Sequence, residues 1–373
     1  MLDRAKLIKE LHRVADDLFI SFTSEQTIAR GVWERIVRDS TFMYKIAACE
    51  TSLPIPSWSG PLDACIPIKN NIATYRVIAV DGSQIYPDRH QGTSCYLINV
   101  GSVVLTYGVP VRAELASIPH VFTEYDNDVT QASPIDIVNC RREEFEFNAG
   151  YACAARSMEH NATQPLVVLF DGSLIFWHLE AKEQLLKKFV PRYVQTLTAL
   201  YDQRIVHAAY VSMPRHRELS NLIRLALCDF KLEGCEAHRV IDHVHDAMVA
   251  QFFLQPDTRS TVFGYTGKLR SLYPDALRPY FFYMHNGVEI GRVEIPAWIA
   301  HDDQMLDLVS RVLIDQSRKG HGYPIVLAEA HEQAVVKGPD RDFFYHVITK
   351  FSVQRKHRMT MSQKSLKKRC IGV

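Results

Sequence analysis

Two apolar runs that each end in Asp-Gly-Ser constrain the fold of this chain most. They are VIAVDGS at Val77–Ser83 and LVVLFDGS at Leu166–Ser173. Continuous runs rich in β-branched residues are typical of strands covered on both faces, and Asp-Gly is a turn signal. We therefore expect Asp81 and Asp171 at the tips of central strands, on one rim of a sheet. Carboxylates brought together at such a rim can hold divalent metal ions. A solvated turn aspartate is the alternative for either motif alone.

The composition is that of a globular protein with a substantial core. The chain has 373 residues, 47% hydrophobic and 10% aromatic, enough for one large domain or two ordinary ones. A formal net charge of +1 predicts no particular partner, so attraction to nucleic acid would come from local patches. The eight cysteines lack CxxC spacing, and we expect reduced thiols in a cytoplasmic protein. The charged N-terminus is not a signal peptide, and no apolar run is long enough for a membrane span.

The first hundred residues change from helical to strand-like patterning. Residues 1–50 follow helical spacing, with a second helix expected over Glu25–Ala48, and they either pad the core or bind a partner. Four prolines in residues 51–70 indicate a loop. A strand over Cys95–Leu105 is expected to pair with Tyr107–Glu114 in a hairpin or meander beside the first Asp-Gly-Ser strand.

A helix with a face of small residues follows residues 115–133, which are polar and read as a loop. Pro134 favours the helix start, and the helical pattern continues to Met158. One face carries Arg142, Glu146, Ala149, Gly150 and Cys153. Because small side chains allow close packing against a sheet, Glu146 would be pressed toward it. Glu143, one turn earlier, is the alternative carboxylate, and an ordinary acidic helix surface is the competing interpretation.

Basic residues lie near the next predicted strand. Ile205–Met213 reads as that strand, and Arg215 and Arg217 follow its end just before a helix. Such a position favours anion binding, so both arginines are candidate phosphate contacts. The helix expected over His178–Gln203 carries further basic residues, although a solvated face is the more common explanation for them. These residues are Lys182, Lys187, Lys188 and Arg192.

Residues 228–275 have the weakest pattern, and we interpret them as a helical insertion. The cysteines and histidines of this segment suggest zinc, but their spacing matches no standard structural pattern. They are Cys228, Cys235, His238, His243 and His245. The next feature is clearer, because Asn286-Gly287 between two alternating runs predicts a β-hairpin.

The C-terminal region supplies the last candidates. A helix is expected over Asp302–Lys319, followed by a short apolar run from Ile325 and a further helix whose first turns carry His331. A histidine there can be a metal ligand or a proton shuttle, although a lone histidine is more often structural. The tail over residues 346–373 is basic, and it either contacts nucleic acid or is a solvated end.

In this order, the motifs resemble those of the NurA nuclease family. The motifs that carry the resemblance are VIAVDGS, FEFNAG, VVLFDGS, YVSMPR, TRSTVF, RVEIPAW and GYPIVLAEAH. The resemblance implies an α/β fold with an RNase H-like, mixed five-stranded sheet flanked by helices. It also implies a helical N-terminal region over residues 1–70 for dimer or partner contacts. A nuclease domain would follow over residues 71–345, with an insertion around residues 220–275.

The resemblance further implies an activity and its residues. Nucleases of this family depend on Mn²⁺ or Mg²⁺, resect DNA ends, act on single strands, form dimers and work with a HerA-type hexameric ATPase. Carried over by motif, the metal and catalytic positions are Asp81, Glu146, Asp171, His331 and Tyr323, with Glu143 as the alternative carboxylate.

Three interpretations of function stay open. The first is a metal-dependent deoxyribonuclease with 5′–3′ exonuclease or single-strand endonuclease activity. The second is a weakly catalytic or non-catalytic DNA-binding partner of a hexameric ATPase. The third keeps the fold but acts on RNA or an RNA–DNA hybrid. A mixed carboxylate–imidazole ligand set suits Mn²⁺ better than Mg²⁺, so we expect a preference for Mn²⁺.

Overall fold

A mixed β-sheet runs through the computed structural model, which describes residues 2–15, 22–69, 71–88, 95–123, 133–160, 164–231, 233 and 235–356. The strands are β1 (Ser57–Trp58), β2 (Ile66–Pro67), β3 (Tyr75–Ile85), β4 (Tyr96–Tyr107), β5 (Glu114–Phe122), β6 (Leu166–Asp171), β7 (Val206–Val211), β8 (Thr258–Arg259), β9 (Phe263–Gly264), β10 (Pro279–His285) and β11 (Ile290–Pro296). The helices are α1 (Arg4–Arg13), α2 (Thr23–Arg38), α3 (Phe42–Ala47), α4 (Pro134–His160), α5 (Glu183–Asp202), α6 (Glu218–Leu227), α7 (Asp246–Ala250), α8 (Ala297–Ala300), α9 (Asp303–Lys319), α10 (Ile325–Ala334) and α11 (Gly338–Gln354).

The strand order confirms the expected fold class. Along the sheet the strands lie as β1-β9-β10-β11-β7-β6-β3-β4-β5, and β8 joins β2 to β10. β6 is parallel to β3 and to β7, whereas β4 is antiparallel to β3 and to β5. The segment from β5 to β7 is therefore the mixed five-stranded sheet expected of an RNase H-like fold. The whole sheet is larger than five strands because β11 pairs with the outer edge of β7.

The central strands are buried on both faces, which explains their unbroken apolar runs. On β3, Ile78 and Val80 pack in one core cluster with residues of α4 and α5. Val77 and Ala79 point to the other face and pack with residues of α9 and α10. The sheet is thus the middle of three layers, and its rim is the place where side chains of the strands become accessible.

The first Asp-Gly-Ser motif does not form the expected turn. β3 continues through Ile85, and Asp81 pairs with Gly101 inside the ladder between β3 and β4. The predicted position of Asp81 at a strand tip is therefore wrong. The antiparallel partner β4 pairs with β3 before, within and after the motif, and this pairing keeps the backbone extended there.

The second motif behaves as predicted. Asp171 is the last residue of β6, and Gly172 follows it with φ of 114°, a left-handed angle that favours glycine. The parallel ladder between β3 and β6 ends at the pair Val80 and Phe170. Asp81 and Asp171 each follow this last pair, so the two aspartates still come to one place on the sheet.

Strand β5 was not expected from the sequence. The prediction placed a loop over residues 115–133 and a strand over Tyr107–Glu114, but Glu114–Phe122 forms the strand, and the chain reverses before it. β5 lies at the end of the sheet order and its side chains are largely exposed. It also contains Pro119, which an edge strand tolerates. An exposed edge strand lacks the apolar alternation by which strands are recognised.

The N-terminal region also differs in detail. The single helix expected over Glu25–Ala48 is divided into α2 and α3, because Asp39 accepts a hydrogen bond from the backbone nitrogen of Thr41 at 2.9 Å. Residues 51–70 contain β1 and β2, which pair with the distant strands β9 and β8. α2 and α3 pack with α6, α7 and residues of the predicted β10–β11 hairpin in one core cluster, and the hairpin prediction is confirmed.

The insertion is only partly helical, and it contains a disulfide. Residues 228–275 include two short strands and 3₁₀ turns at Ala237–Ile241 and Lys268–Leu272, besides α7. Cys228 is bonded to Cys235, so the prediction of reduced thiols throughout is wrong for this pair. The sequence could not place them together, because their approach depends on how the chain folds back after α6.

The C-terminal helices follow the prediction more closely. α9 begins after Asp302, whose carboxylate caps it by accepting hydrogen bonds from the backbone nitrogens of Gln304 and Met305. The run from Ile325 is helical from its first residue, so His331 lies in the last turn of α10 rather than near its start. α11 extends into the predicted tail, and residues 357–373 lie outside the described residues. Within the described chain, no helix combines the length and the apolar character needed to cross a membrane.

Gly101 allows α10 to lie directly on β4. A Cβ atom at this position would be 2.4 Å from the backbone nitrogen of Ala334 and 2.5 Å from the carbonyl oxygen of Ala330. Both atoms belong to the backbone of α10, so a flexible side chain cannot move aside. The same helix carries His331, and its distance from the sheet therefore depends on the absence of a side chain at residue 101.

We expect Gly101→Ala to destabilise the protein by about 1–3 kcal/mol, because the helix must move away from the sheet. Urea unfolding followed by circular dichroism measures the change. Gly31→Ala is the matched control, since Gly31 lies within α2 and a Cβ atom there would meet nothing within 4 Å. That change should be neutral or stabilising, by up to about 1 kcal/mol. Equal stability of the Gly101→Ala variant and the wild type would contradict the close helix–sheet contact.

Candidate active site

Asp81 and His331 are joined across the rim of the sheet. The Nδ1 atom of His331 lies 2.8 Å from Oδ2 of Asp81. The other carboxylate oxygen of Asp81 accepts a hydrogen bond from the backbone nitrogen of Gly82 at 2.8 Å. The Asp81 side chain is 13% exposed, whereas that of His331 is 60% exposed. The carboxylate is thus fixed inside the site, and the imidazole extends from it toward solvent.

Asp171 and Tyr323 form the second pair. The Tyr323 hydroxyl and the Asp171 carboxylate act on each other's pKa. Asp171 is open to solvent on one side, but the surrounding protein and the negative charge of Asp81 raise its pKa, against the lowering effect of the Tyr323 hydroxyl. Burial, followed by the Asp171 charge, raises the pKa of Tyr323, so its phenol keeps its proton. The carbonyl oxygen of Gly322 accepts a hydrogen bond from Asn286 Nδ2 at 2.7 Å, which fixes the backbone before Tyr323.

Glu146 approaches β3 from α4, on the side of Gly82, and lies within electrostatic reach of Asp81. Its carboxylate forms an ion pair with Arg142, one helical turn earlier, and its side chain is 12% exposed. Burial raises the pKa of Glu146 to about 8, opposed by Arg142 and reinforced by the charge of Asp81. A Cβ atom at Gly82 would lie 2.5 Å from Oε1 of Glu146. The glycine of the first motif therefore leaves room for the side chains of Glu146 and Arg142 and does not form a turn.

Glu143 takes a different direction. Its Oε2 atom lies 3.2 Å from Nε2 of His178, beyond β6. The charge of Glu143 also raises the pKa of the buried Tyr193 hydroxyl, after burial itself. Glu146 is thus within electrostatic reach of Asp81, whereas Glu143 pairs with His178, which favours Glu146 as the site carboxylate.

The donor set suits a hard divalent cation. Carboxylate oxygens from Asp81, Asp171 and Glu146 are the ligands that Mg²⁺ and Mn²⁺ accept, and the imidazole of His331 is available beside them. Asp81 raises the pKa values of both other carboxyls, a repulsion that a bound cation would relieve. Among the described side chains, no three of these ligand atoms lie within 4.8 Å of one another. Cation binding therefore requires side-chain rotation, most directly of Glu146 away from Arg142.

The two candidate phosphate contacts follow β7, whereas Asp171 ends the neighbouring strand β6. Arg215 and Arg217 occupy the connection between β7 and α6, and Arg215 is exposed. Their charges lower the pKa of His245, after the effect of burial. The positive charges that act on Asp171 are those of His331 and Arg142. The structure thus pairs Asp81 with His331, places Asp171 and Glu146 within electrostatic reach of Asp81 and Tyr323 within electrostatic reach of Asp171, and leaves the two arginines on the connection between β7 and α6.

Two contributors to the site were not assigned a role from the sequence. Arg142 contacts Glu146, and the i,i+4 spacing on a helix was the available signal. Glu294 is fully buried, and its Oε2 atom accepts hydrogen bonds from Ser173 Oγ at 2.6 Å and from the backbone nitrogen of Leu174 at 2.8 Å. Glu294 thereby holds the turn that follows Asp171. Its signal was a charged residue between two apolar ones in the predicted hairpin.

Comparison with known proteins identifies the family. The family model described as the NurA domain matches residues 75–336, more than half of the chain. No curated protein matches the sequence. Similar solved structures include one described as NurA, at 11% identity over 94% of this chain and 98% of that chain, with a TM-score of 0.39. Another is described as NurA with manganese, at 10% identity over 87% of this chain and 94% of that chain, with a TM-score of 0.35. A type 1 RNase H is also similar, at 12% identity over 50% of this chain and 90% of that chain, with a TM-score of 0.21. From the match to the family model, the chain belongs to the NurA domain family.

Proposed function

We propose that this protein is a metal-dependent deoxyribonuclease that hydrolyses phosphodiester bonds at DNA ends and in single-stranded DNA. The observation that carries the proposal is the contact of Asp81 with His331 where the parallel ladder ends, with Asp171 at the end of the neighbouring strand and Glu146 on the helix packed on them. Asp81, Asp171 and Glu146 would hold the cation. A bound divalent cation activates water and stabilises the charge on a phosphate undergoing attack.

The other residues of the site contact these carboxylates, and His331 can also donate or accept a proton. Because Asp81 accepts at Oδ2, the proton of a neutral His331 lies on Nδ1, and Nε2 faces solvent. That nitrogen can exchange a proton with a leaving oxygen. The Tyr323 hydroxyl lowers the pKa of Asp171 and so favours its charged, metal-binding form. Arg142 holds the Glu146 side chain on α4 through their contact one helical turn apart.

The test of the function is digestion of end-labelled single- and double-stranded DNA with Mn²⁺, with Mg²⁺ or with EDTA. We expect cleavage with either metal, faster with Mn²⁺, and none with EDTA or in Asp171→Ala. Equal rates in the two metals would contradict the Mn²⁺ preference alone. Cleavage that persists in EDTA or in Asp171→Ala would overturn the assignment of the site, and faster digestion of matched RNA would overturn the choice of substrate.

Family membership supports further proposals about partners. We propose that the chain forms a homodimer, acts in the cytoplasm and works with a HerA-like hexameric ATPase, with phosphate contacts from Arg215 and Arg217. Size-exclusion chromatography with light scattering tests the dimer and the complex. If the two proteins never co-elute at micromolar concentration, with or without DNA, the ATPase is not a stable partner. If DNA is cut only when the ATPase is present, the activity depends on that partner.

The affinity for Mn²⁺ should depend on pH through Glu146. The pKa of its carboxyl is raised from 4.5 to about 8, so a proton and the cation compete for the same oxygens below that pH. We expect the affinity to rise with pH up to about 8, by at most about tenfold per pH unit. In the metal-free protein the sign is opposite. The folded state keeps a proton that the unfolded chain releases, so this contribution to stability falls as the pH rises from 4.5 toward 8.

Titration with Mn²⁺ at about pH 6.5 to about pH 9, a range that includes the Glu146 pKa of about 8, measures this dependence. The free ion is followed by electron paramagnetic resonance. Glu146→Gln should weaken binding and flatten the profile. Glu144→Gln is the matched control on the same helix, since Glu144 pairs with Arg192 instead. A steep profile that survives in Glu146→Gln would assign the competing proton to another group.

A further inference from the structure

Two cysteines and a histidine meet in the insertion, on residues that the nuclease site does not use. Cys228 follows α6, and Cys235 precedes the 3₁₀ turn Ala237–Ile241, on which His238 lies. The disulfide joins the two cysteines, and Nδ1 of His238 is 3.7 Å from Sγ of Cys228. All three ligand atoms lie within 4.8 Å of one another. No other group of three histidine, cysteine or acidic side chains in the described part of the chain is this close.

We propose that these three residues bind Zn²⁺ when the disulfide is reduced, with solvent as the fourth ligand. Two thiolates and an imidazole form a donor set that selects zinc over the hard cations preferred by carboxylates. The disulfide form has no thiolate to offer. The chain therefore has two exclusive states at this place, one covalently bridged and one able to bind a metal ion.

The position of His238 fits a tetrahedral zinc ion. With Zn–S of about 2.3 Å and Zn–N of about 2.1 Å, tetrahedral angles place a sulfur and a nitrogen ligand about 3.6 Å apart. The observed distance from His238 Nδ1 to Cys228 Sγ is 3.7 Å. The two sulfurs, bonded to each other in the oxidised form, must separate to about 3.8 Å in the zinc form. The largest adjustment that binding needs is thus the separation of the two sulfurs.

The other two histidines of the insertion do not belong to this site. His243 Nδ1 lies 2.8 Å from Oε1 of Glu25 and is engaged there. His245 is the residue before α7, and the positive charges of Arg217 and Arg215 act on it. The ligand set is therefore smaller than the five residues that the sequence suggested, and its spacing is Cys-X6-Cys-X2-His.

The exchange between the two states balances with a dithiol as reductant. The dithiol gives two electrons and two protons, the bond between Cys228 and Cys235 breaks, and two thiols form while the dithiol becomes a disulfide. Zn²⁺ binding then releases the two thiol protons. A cavity of about 840 Å³ lies beside the loop between the two cysteines and is lined in part by Asp229, Phe230 and Lys231.

Cobalt is the probe that separates this site from the carboxylate site. Co²⁺ bound by thiolate shows a near-ultraviolet charge-transfer band, which oxygen and nitrogen ligands do not produce. We expect the full-length protein, reduced with a phosphine and desalted without oxygen, to bind one equivalent of Co²⁺ with this band. Zn²⁺ should remove the band by displacement. The oxidised protein should show no band at any Co²⁺ concentration.

Variants assign the ligands. Cys228→Ser and Cys235→Ser should each weaken the band strongly, and His238→Ala should lower the affinity for Co²⁺ by at least about tenfold. Cys49→Ser is the matched control, because its thiol donates to the carbonyl oxygen of Phe230 in the same loop but is not part of the trio. Circular dichroism checks the fold of each variant, and His238→Ala leaves the cysteine pair intact if a serine variant fails to fold.

Three results would overturn the proposal. One is a reduced protein that gives no thiolate band. Another is a band that Zn²⁺ does not displace or that survives in His238→Ala with unchanged affinity. The third is a band lost in Cys49→Ser. None of these measurements uses DNA cleavage, so they test the zinc site independently of the proposed nuclease function.

Discussion

Replacing Asp81 with asparagine should reduce metal-dependent DNA cleavage by about a thousandfold or more while the fold stays intact. The amide still offers an acceptor to the backbone nitrogen of Gly82, as the carboxylate does at 2.8 Å. It removes, however, the charge that the site presents to a cation, and it removes the acceptor that fixes His331. The rate of cleavage of end-labelled DNA at saturating Mn²⁺ measures the loss of activity. Circular dichroism shows whether the fold is retained.

Substitution of His331 tests whether Asp81 and His331 act together in cleavage. We expect His331→Gln to lose less activity than Asp81→Asn, and the double variant to lose little more than Asp81→Asn, because the imidazole is positioned through that carboxylate. His346→Gln is the control, since this histidine lies on the neighbouring helix α11. Fully additive losses would mean that the two side chains act independently.

The largest effect on stability is expected at Arg292, which is fully buried on β11. Its Nη1 atom lies 3.0 Å from Oε1 of Glu218, and its Nε atom donates to Oε1 of Glu294 at 2.8 Å. Asp246 joins the network through Tyr283, whose hydroxyl donates to it at 2.7 Å. Arg292→Met should cost about 3–5 kcal/mol, because buried carboxylates then lose their counter-charge.

The loss should be smaller in acid. Burial already raises the pKa values of Glu218 and Asp246, and removal of Arg292 raises them further, so both carboxyls are neutral at low pH and no uncompensated charge remains. Urea unfolding of Arg292→Met and the wild type at about pH 5 and at about pH 8 measures how the loss of stability depends on pH. Lys187→Met, which breaks an exposed pair with Glu183, is the control and should have no measurable effect. A pH-independent loss would point to packing rather than charge.

Sequence patterns predicted the elements of the core because each central strand is covered on both faces. The runs before Asp81 and Asp171 and the hairpin at Asn286-Gly287 are local signals, and the structure contains all three. β5 was missed because an edge strand has no buried face to impose an apolar pattern. The turn at Gly82 was wrongly expected because the same Asp-Gly pair fits a strand when a partner such as β4 continues beside it.

Sequence patterns predicted only part of the candidate site. Residue types at strand ends suggested Asp81 and Asp171, but the contact between Asp81 and His331 spans most of the chain and depends on the close fit of α10 at Gly101. The choice between Glu143 and Glu146 needed the rotation of α4 about its axis, which spacing alone leaves open. The pairing of Cys228 with Cys235 likewise follows from tertiary structure.

The pairing of the earliest strands with late ones sets the order in which the protein can be built. β1 finds its partner β9, and β2 its partner β8, only after about two hundred further residues have been added to the chain, as their registers show. Contacts so distant in sequence slow folding, because the intervening chain must be closed first. During synthesis the RNase H-like strands from β3 to β7 can assemble while the segment before them still waits for partners. The segment before β3 is therefore synthesised before the central sheet but completes its strand pairing after it.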